Sequence, residues 1–127
     1  MAPAVSDDPA MGPTVLVVDD HAPFRAAASA LLRAEGCTVV GEACDGRTAV
    51  AEAVRLRPQV VLLDVQLPGQ DGFAVAELLA VLPCAPVVLL VSSRRAADYG
   101  DRVARSAARG FVEKRSLSGP ALVRLLG

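Results

Sequence analysis

The sequence predicts an α/β domain of (βα)5 form, a doubly wound, five-stranded parallel sheet with helices on both faces. Three observations lead there. Apolar, β-branched runs begin at residues 14, 38, 60, 86 and 110, spaced by 24, 22, 26 and 24 positions. Most of these runs are apolar without interruption, which is the pattern of strands buried on both faces. Each is followed by a stretch with helical periodicity, and regular alternation of strand and helix builds a parallel sheet. A chain of 127 residues is too short for a (β/α)8 barrel.

Each element has its own justification. TVLVV (14–18) is the first strand, and APFRAAASALLRAEG (22–36) the helix after it. Pro23 suits the first helical turn and Gly36 the carboxyl-terminal stop. TVVGEA (38–43) leads into DGRTAVAEAVRLRP (45–58), where Asp45 is the expected N-cap and Pro58 the stop. Ala49, Val50, Ala53, Val54 and Leu56 give that helix one apolar face. VVLLD (60–64) precedes DGFAVAELLAVLP (71–83), which repeats the form of aspartate cap, apolar face and proline stop. PVVLLV (86–91) is followed by the most polar helix, RAADYGDRVARSAARG (95–110), with Gly100 inside it. GFVE (110–113) is a short fifth strand, and LSGPALVRLLG (117–127) closes the chain with Ser118 as cap.

Composition narrows the classes. The length suits one domain with a single core. The chain is 53% apolar with no Trp, three Phe and one Tyr, so that core is built from aliphatics. A net charge of −1 without a basic block argues against nucleic-acid binding by this chain. Cys37, Cys44 and Cys84 form no CxxC pair, and His21 is the single histidine, which points to reduced thiols rather than a zinc or copper site. Residues 1–13 read as a disordered leader to a domain at 14–127, with Met11 as an alternative start. The leader lacks the basic and apolar regions of a secretory signal, and no apolar run approaches the ~18 residues of a membrane span. The expected setting is the cytoplasm.

The polar residues that follow the strands carry the chemistry. A parallel sheet puts Asp19 and Asp20, Asp64, Ser92 and Lys114 on one edge, although they are scattered along the sequence. Taken singly, Asp19 or Asp20 reads as a turn or cap residue and Ser92 as a loop hydroxyl, whereas Asp64 is harder to dismiss because a cap would usually lie nearer the next helix. Taken together, those readings require several coincidences at one edge. Two carboxylates ~4 Å apart repel by about 4 kcal/mol at an effective dielectric near 20, so such a cluster raises its own pKa values or calls for a cation. An open, all-oxygen cup suits Mg2+. A cation, a hydroxyl and an ammonium around one carboxylate suggest phosphoryl transfer, with Asp64 as nucleophile. Lys114 is the only lysine beside twelve arginines, and its compact, flexible point charge suits that task better than a rigid guanidinium fork.

In order and spacing, VLVVDDH, VVLLDVQLPGQDG, VVLLVSS and GFVEK resemble the receiver domain of bacterial two-component response regulators. DDHAPFR and LPGQDGF are similar to the subgroup often fused to a helix-turn-helix output domain, which is not present in this sequence. The resemblance implies a flavodoxin-like sheet of order 2-1-3-4-5. It implies that Asp64 is the phospho-acceptor, that Asp20 and Asp19 hold Mg2+ directly and through water, and that the backbone carbonyl of Gln66 is a further ligand. Ser92 matches the switch hydroxyl, Lys114 its ammonium partner and Phe111 the aromatic switch position. The implied partners are a sensor histidine kinase or a histidine phosphotransfer protein, and a downstream protein or output domain. A phosphorylation-dependent homodimer through the fourth and fifth segments stays open.

Three departures stand out. Arg115 replaces the proline that commonly follows the lysine, so the Lys114–Arg115 peptide is either trans or strained. Ser93 replaces the common alanine after the switch hydroxyl. Gln66 and Arg94 occupy positions that tune loss of the phosphoryl group. The alternatives are a receiver-fold interaction module that is not phosphorylated, and an aspartyl-phosphate phosphatase of the haloacid dehalogenase type. The latter needs an aspartate where Gln66 stands. The expectation is a switch that catalyses only its own phosphorylation and dephosphorylation, not an enzyme acting on a metabolite.

Overall fold

The computed structural model describes residues 12–126. The expected leader lies outside the described residues except for Gly12 and Pro13. The Gly12 amide donates to the Gly36 carbonyl at 2.6 Å, and the Pro13 carbonyl accepts from the Thr38 amide at 3.0 Å.

The strands are β1 (Thr14–Val18), β2 (Thr38–Ala43), β3 (Val60–Asp64), β4 (Val87–Ser92) and β5 (Gly110–Glu113). They form one parallel sheet of order 2-1-3-4-5, as expected. The helices are α1 (Ala22–Ala34), α2 (Gly46–Leu56), α3 (Gly72–Ala80), α4 (Arg102–Arg105) and α5 (Gly119–Leu126). The fold is therefore the doubly wound, flavodoxin-like one.

Strand alternation divides the core in two. Leu16, Val18, Val61, Leu63, Val88 and Leu90 face α2 and α3, meeting Ala49, Ala53, Val75, Ala76 and Leu79. Val15, Val17, Leu62, Leu89 and Val91 face α1 and α5, meeting Ala28, Leu32 and Leu122. Val15 to Val18 are wholly buried, so β1 is an inner strand that both layers share. The small alanines on the helices let aliphatic side chains from the sheet fill the gap without aromatic rings.

The expected caps are in place. Asp45 accepts from the Thr48 amide at 2.8 Å, Asp71 from the Phe73 amide at 2.9 Å and Ser118 from the Ala121 amide at 3.2 Å. Pro23 sits in the first turn of α1, and Gly36 follows that helix with φ of 89°. Arg57 ends α2 in the left-handed region, immediately before Pro58.

The fourth helix departs from expectation. Instead of running from 95 to 110, the segment forms a 3-10 turn (Ala96–Tyr99), breaks at Gly100 and makes only one turn of α4. Gly100 takes a φ of 62°, which interrupts helical hydrogen bonding. Side chains complete the break: Asp98 accepts from the Arg95 amide at 3.0 Å, and the Ser106 hydroxyl donates to the Val103 carbonyl at 2.7 Å. The third helix also ends early, at Ala80 rather than near Pro83.

The loop after β3 is tightened by an antiparallel bridge between Gln66–Leu67 and Gln70–Asp71, turning through Gly69. Here α3 begins directly under the end of β3. A Cβ on Gly72 would lie 2.4 Å from the Asp64 carbonyl oxygen and 2.6 Å from the Val65 Cα, so only glycine fits. Replacing Gly72 by alanine is expected to destabilise the fold by about 1–3 kcal/mol, read from urea unfolding. A cost below a few tenths would show that the loop yields freely.

Candidate functional site

The strand order reverses between β1 and β3, and open sheets of this kind form their crevice at that point. Val18 pairs with Leu63, so the next residue of each strand, Asp19 and Asp64, emerges side by side. Asp19 is wholly buried and Asp64 is 4% exposed. Lys114 begins a 3-10 turn directly after β5 and reaches back over this crevice. Its Nζ lies 2.6 Å from Oδ2 of Asp19 and 3.5 Å from Oδ2 of Asp64. It also sits 4.5 Å from the centre of the Phe24 ring, on the first turn of α1.

Each carboxylate has a second anchor. Oδ1 of Asp19 accepts from the His21 amide at 2.8 Å, and Oδ1 of Asp64 accepts from the Gln66 amide at 3.1 Å. Oδ2 of Asp19 has the lysine charge close by but no well-directed hydrogen bond, despite its complete burial. Burial pushes the Asp64 carboxyl up to about 6, and the charge of Asp19 adds to the rise. The Gln66 amide and Lys114 pull the other way without cancelling it.

Asp20 stands at the rim, 38% exposed, with Nδ1 of His21 at 3.7 Å from its Oδ1. Asp19, Asp20 and His21 can offer ligand atoms within 4.8 Å of one another. Two buried carboxylates and a rim carboxylate face a single ammonium, and one buried oxygen lacks a directed donor. That donor set fits a hard divalent cation such as Mg2+, which prefers few carboxylates in an open setting.

The remaining expected residues lie on the β4–β5 side. Ser92 is wholly buried at the end of β4. Its Oγ accepts from the Arg94 amide at 3.0 Å and lies 2.6 Å from Oη of Tyr99. Among the described residues, its hydrogen-bond partners do not include Asp64 or Lys114. Phe111 is half-buried, with its ring 6.1 Å from that of Tyr99. The side chain of Gln66 is exposed, as are Ser93 and Arg94. The Lys114–Arg115 peptide is trans, and Arg115 pairs with Glu113 at 2.7 Å.

The structure thus gathers Asp19, Asp64 and Lys114 tightly, sets Asp20 at their edge, and holds Ser92 at the end of the neighbouring strand, with Phe111 packed on Tyr99 instead. Sequence reasoning passed over two contributors, Phe24 under the lysine and Tyr99 on the serine. Both belong to a chain with only four aromatic residues, and that scarcity was the available signal.

Residues 15–125 match the family model described as the response regulator receiver domain. A protein-glutamate methylesterase/protein-glutamine glutaminase of Anaeromyxobacter dehalogenans is 43% identical over 111 residues, 87% of this chain and 31% of that protein. The transcriptional regulatory protein PdtaR of Mycobacterium tuberculosis is 35% identical over 113 residues, 88% of this chain and 54% of that protein. The chain therefore spans about a third to about half of the curated relatives it matches. Among solved structures, the signal receiver domain of NarL from Mycobacterium tuberculosis superposes with a TM-score of 0.79 at 32% identity, covering 90% of this chain and 95% of that one. The response regulator domain of Thermotoga maritima CheB gives 0.79 at 26%, covering 90% and 93%.

The raised Asp64 carboxyl has a thermodynamic consequence. The folded state holds this proton more tightly than the unfolded chain, so stability is lost as pH rises from about 4 through about 6. In metal-free buffer, Asp64→Asn is expected to be more stable than the parent by on the order of 2 kcal/mol at pH 7. The advantage disappears below pH about 4, where the parent carboxyl is protonated in both states. Denaturant unfolding of both proteins across this range measures it, and a difference independent of pH would contradict the assignment.

Proposed function

The chain belongs to the response regulator receiver domain family, and on that premise we propose that it is a phosphorylation-dependent switch in a two-component relay. Asp64 accepts the phosphoryl group from a phosphohistidine on a sensor kinase or phosphotransfer protein. The bond from the histidine nitrogen to phosphorus breaks as one from an Asp64 oxygen forms, and the ring nitrogen keeps the electron pair. The observation that carries this reading is the lone ammonium of Lys114, set against two buried carboxylates of which one lies at the mouth of the loop after β3.

Each residue has a role in that transfer. With a carboxyl pKa of about 6, Asp64 is mostly ionised at neutral pH and able to attack. Lys114 offsets charge on the arriving phosphoryl oxygens, and its short distance to Asp19 keeps it poised at the site. Asp19, Asp20, Asp64 and the backbone carbonyl of Gln66 are the residues that would hold Mg2+. When bound, Mg2+ supplies charge neutralisation to the carboxylates and to the phosphoryl group. Asp19 is oriented by its bond from the His21 amide, and Arg25 fixes the same turn by donating to the Asp19 carbonyl at 2.7 Å.

A phosphoryl group adds roughly −1.5 to −2 charge and three acceptor oxygens, enough to draw in a hydroxyl and an ammonium. Ser92 and Phe111 are the residues that read it out, altering the β4–β5 side for a downstream protein or output domain. This makes the domain a modified switch that acts on no metabolite, in keeping with a cytoplasmic relay.

Incubation with acetyl phosphate, with and without Mg2+, tests the chemistry by intact mass beside an Asp64→Asn control. The expected result is a phosphoryl adduct that requires both Mg2+ and Asp64. Folded, Mg2+-replete protein that stays unmodified even with phosphohistidine donors would leave the interaction-module reading instead. Lys114→Arg is expected to fold with near-parental stability yet to uncouple phosphorylation from partner binding, because a fork cannot follow the phosphoryl group as a point charge does. Equal partner affinities for the phosphorylated parent and variant would remove lysine from the switch.

A further inference from the structure

Ser92 is wholly buried beside the candidate site, yet its hydroxyl is committed to partners other than Asp64. The Arg94 amide donates to it at 3.0 Å, and Tyr99 Oη lies 2.6 Å from it. A hydroxyl has one hydrogen and two acceptor lobes. Either oxygen of the 2.6 Å pair can be the donor, and in both cases Tyr99 and the Arg94 amide together hold the Ser92 Oγ on partners other than Asp64. To meet a phosphoryl oxygen on Asp64, the hydroxyl would have to leave its contact with Tyr99.

Tyr99 is itself held in place. Its ring packs edge-on against Phe73, with centroids 5.4 Å apart, and against Phe111, 6.1 Å apart. Arg102 covers Phe73 at 4.4 Å from its ring centre and pairs with Asp71, the residue that caps α3. Gly100 follows Tyr99 with its left-handed φ, ending the 3-10 turn and breaking the helix that sequence periodicity expects. The break is what leaves the tyrosine facing the end of β4, seven positions after Ser92.

We propose that Tyr99 is a latch: its hydroxyl holds Ser92 away from Asp64 in the unphosphorylated protein, and release of that bond accompanies displacement of the neighbouring Phe111 ring. The proposal rests on the reading of Asp64 as phospho-acceptor and assigns a restraint to that same site. Tyr99 acts through Ser92 and is a positioning residue. A protein that must break one hydrogen bond before its serine is competent reacts as if only a fraction of its molecules were ready. A net hydrogen bond of this kind corresponds to about a fivefold population bias.

Tyr99→Phe keeps the ring and its aromatic contacts and removes only the hydroxyl, so the two readouts below start from a packed protein. Urea unfolding of the parent, Tyr99→Phe, Ser92→Ala and the double variant measures the contact without any phosphodonor. The expected coupling is about fivefold in the unfolding equilibrium constant. The initial rate of Asp64 labelling by acetyl phosphate with Mg2+ then measures the restraint. Tyr99→Phe is expected to label about fivefold faster than the parent, and to have no effect in the Ser92→Ala background.

Additive stabilities would overturn the latch at its root. Coupling in stability with an unchanged or slower labelling rate would leave a structural hydrogen bond and overturn the restraint. An acceleration that persists without the Ser92 hydroxyl would also overturn it, since the effect would not pass through the serine. Absence of adduct in every variant, from acetyl phosphate and from phosphohistidine donors alike and with stability coupling intact, would overturn the phospho-acceptor reading and the restraint on it, while the contact itself stood.

Discussion

The interaction on which the site depends is the single ammonium of Lys114 held between the carboxylates of Asp19 and Asp64. Neither carboxylate has appreciable contact with water, and burying an unpaired charge is costly. Burial is the main reason that the Asp64 carboxyl is pushed up to about 6, and one positive charge against two negative ones leaves the Asp19 charge to add to the rise. That shortfall has a chemical use. It favours a cation beside the pair.

The rest of the fold serves to bring these charges together. Asp19 and Asp64 are neighbours because β1 and β3 pair in parallel register at the reversal of strand order. Lys114 meets them because β5 ends at the same edge, two strands away from β3. The aliphatic core holds that edge in register through two layers that share one sheet. Gly72 then brings α3 up against the end of β3, closing the loop that carries Gln66 and aims its amide at Asp64.

The other side of the site is built of softer contacts. Ser92 hangs on Tyr99, Tyr99 leans on Phe73 and Phe111, and Phe73 lies under an arginine. These links join the half-exposed α4 segment to the buried end of β4. A short, broken α4 has few hydrogen bonds of its own to lose, so it offers less resistance to rearrangement than the packed helices opposite. The division between a rigid charged half and a softer aromatic half is what a switch requires, since one must keep its geometry while the other changes it.

By itself, the sequence determined the beat of strands and helices, the aliphatic core and the caps at Asp45, Asp71 and Ser118, because periodicity and capping are local properties of a chain. It also determined which polar residues would gather at one edge, since parallel strands bring their carboxyl ends together whatever lies between them. Only the tertiary structure decided how those residues divide their contacts. Lys114 lies closer to Asp19 than to Asp64, with Phe24 beneath it, because the heights of β1, β3 and β5 set its reach. The fourth helix was misjudged for a related reason. Its periodicity favoured a continuous helix, whereas Gly100 and the side-chain bonds of Asp98 and Ser106 break it and turn Tyr99 toward Ser92. A hydrogen bond of that kind depends on where a loop lands on a strand end, and no local pattern of residue types encodes it.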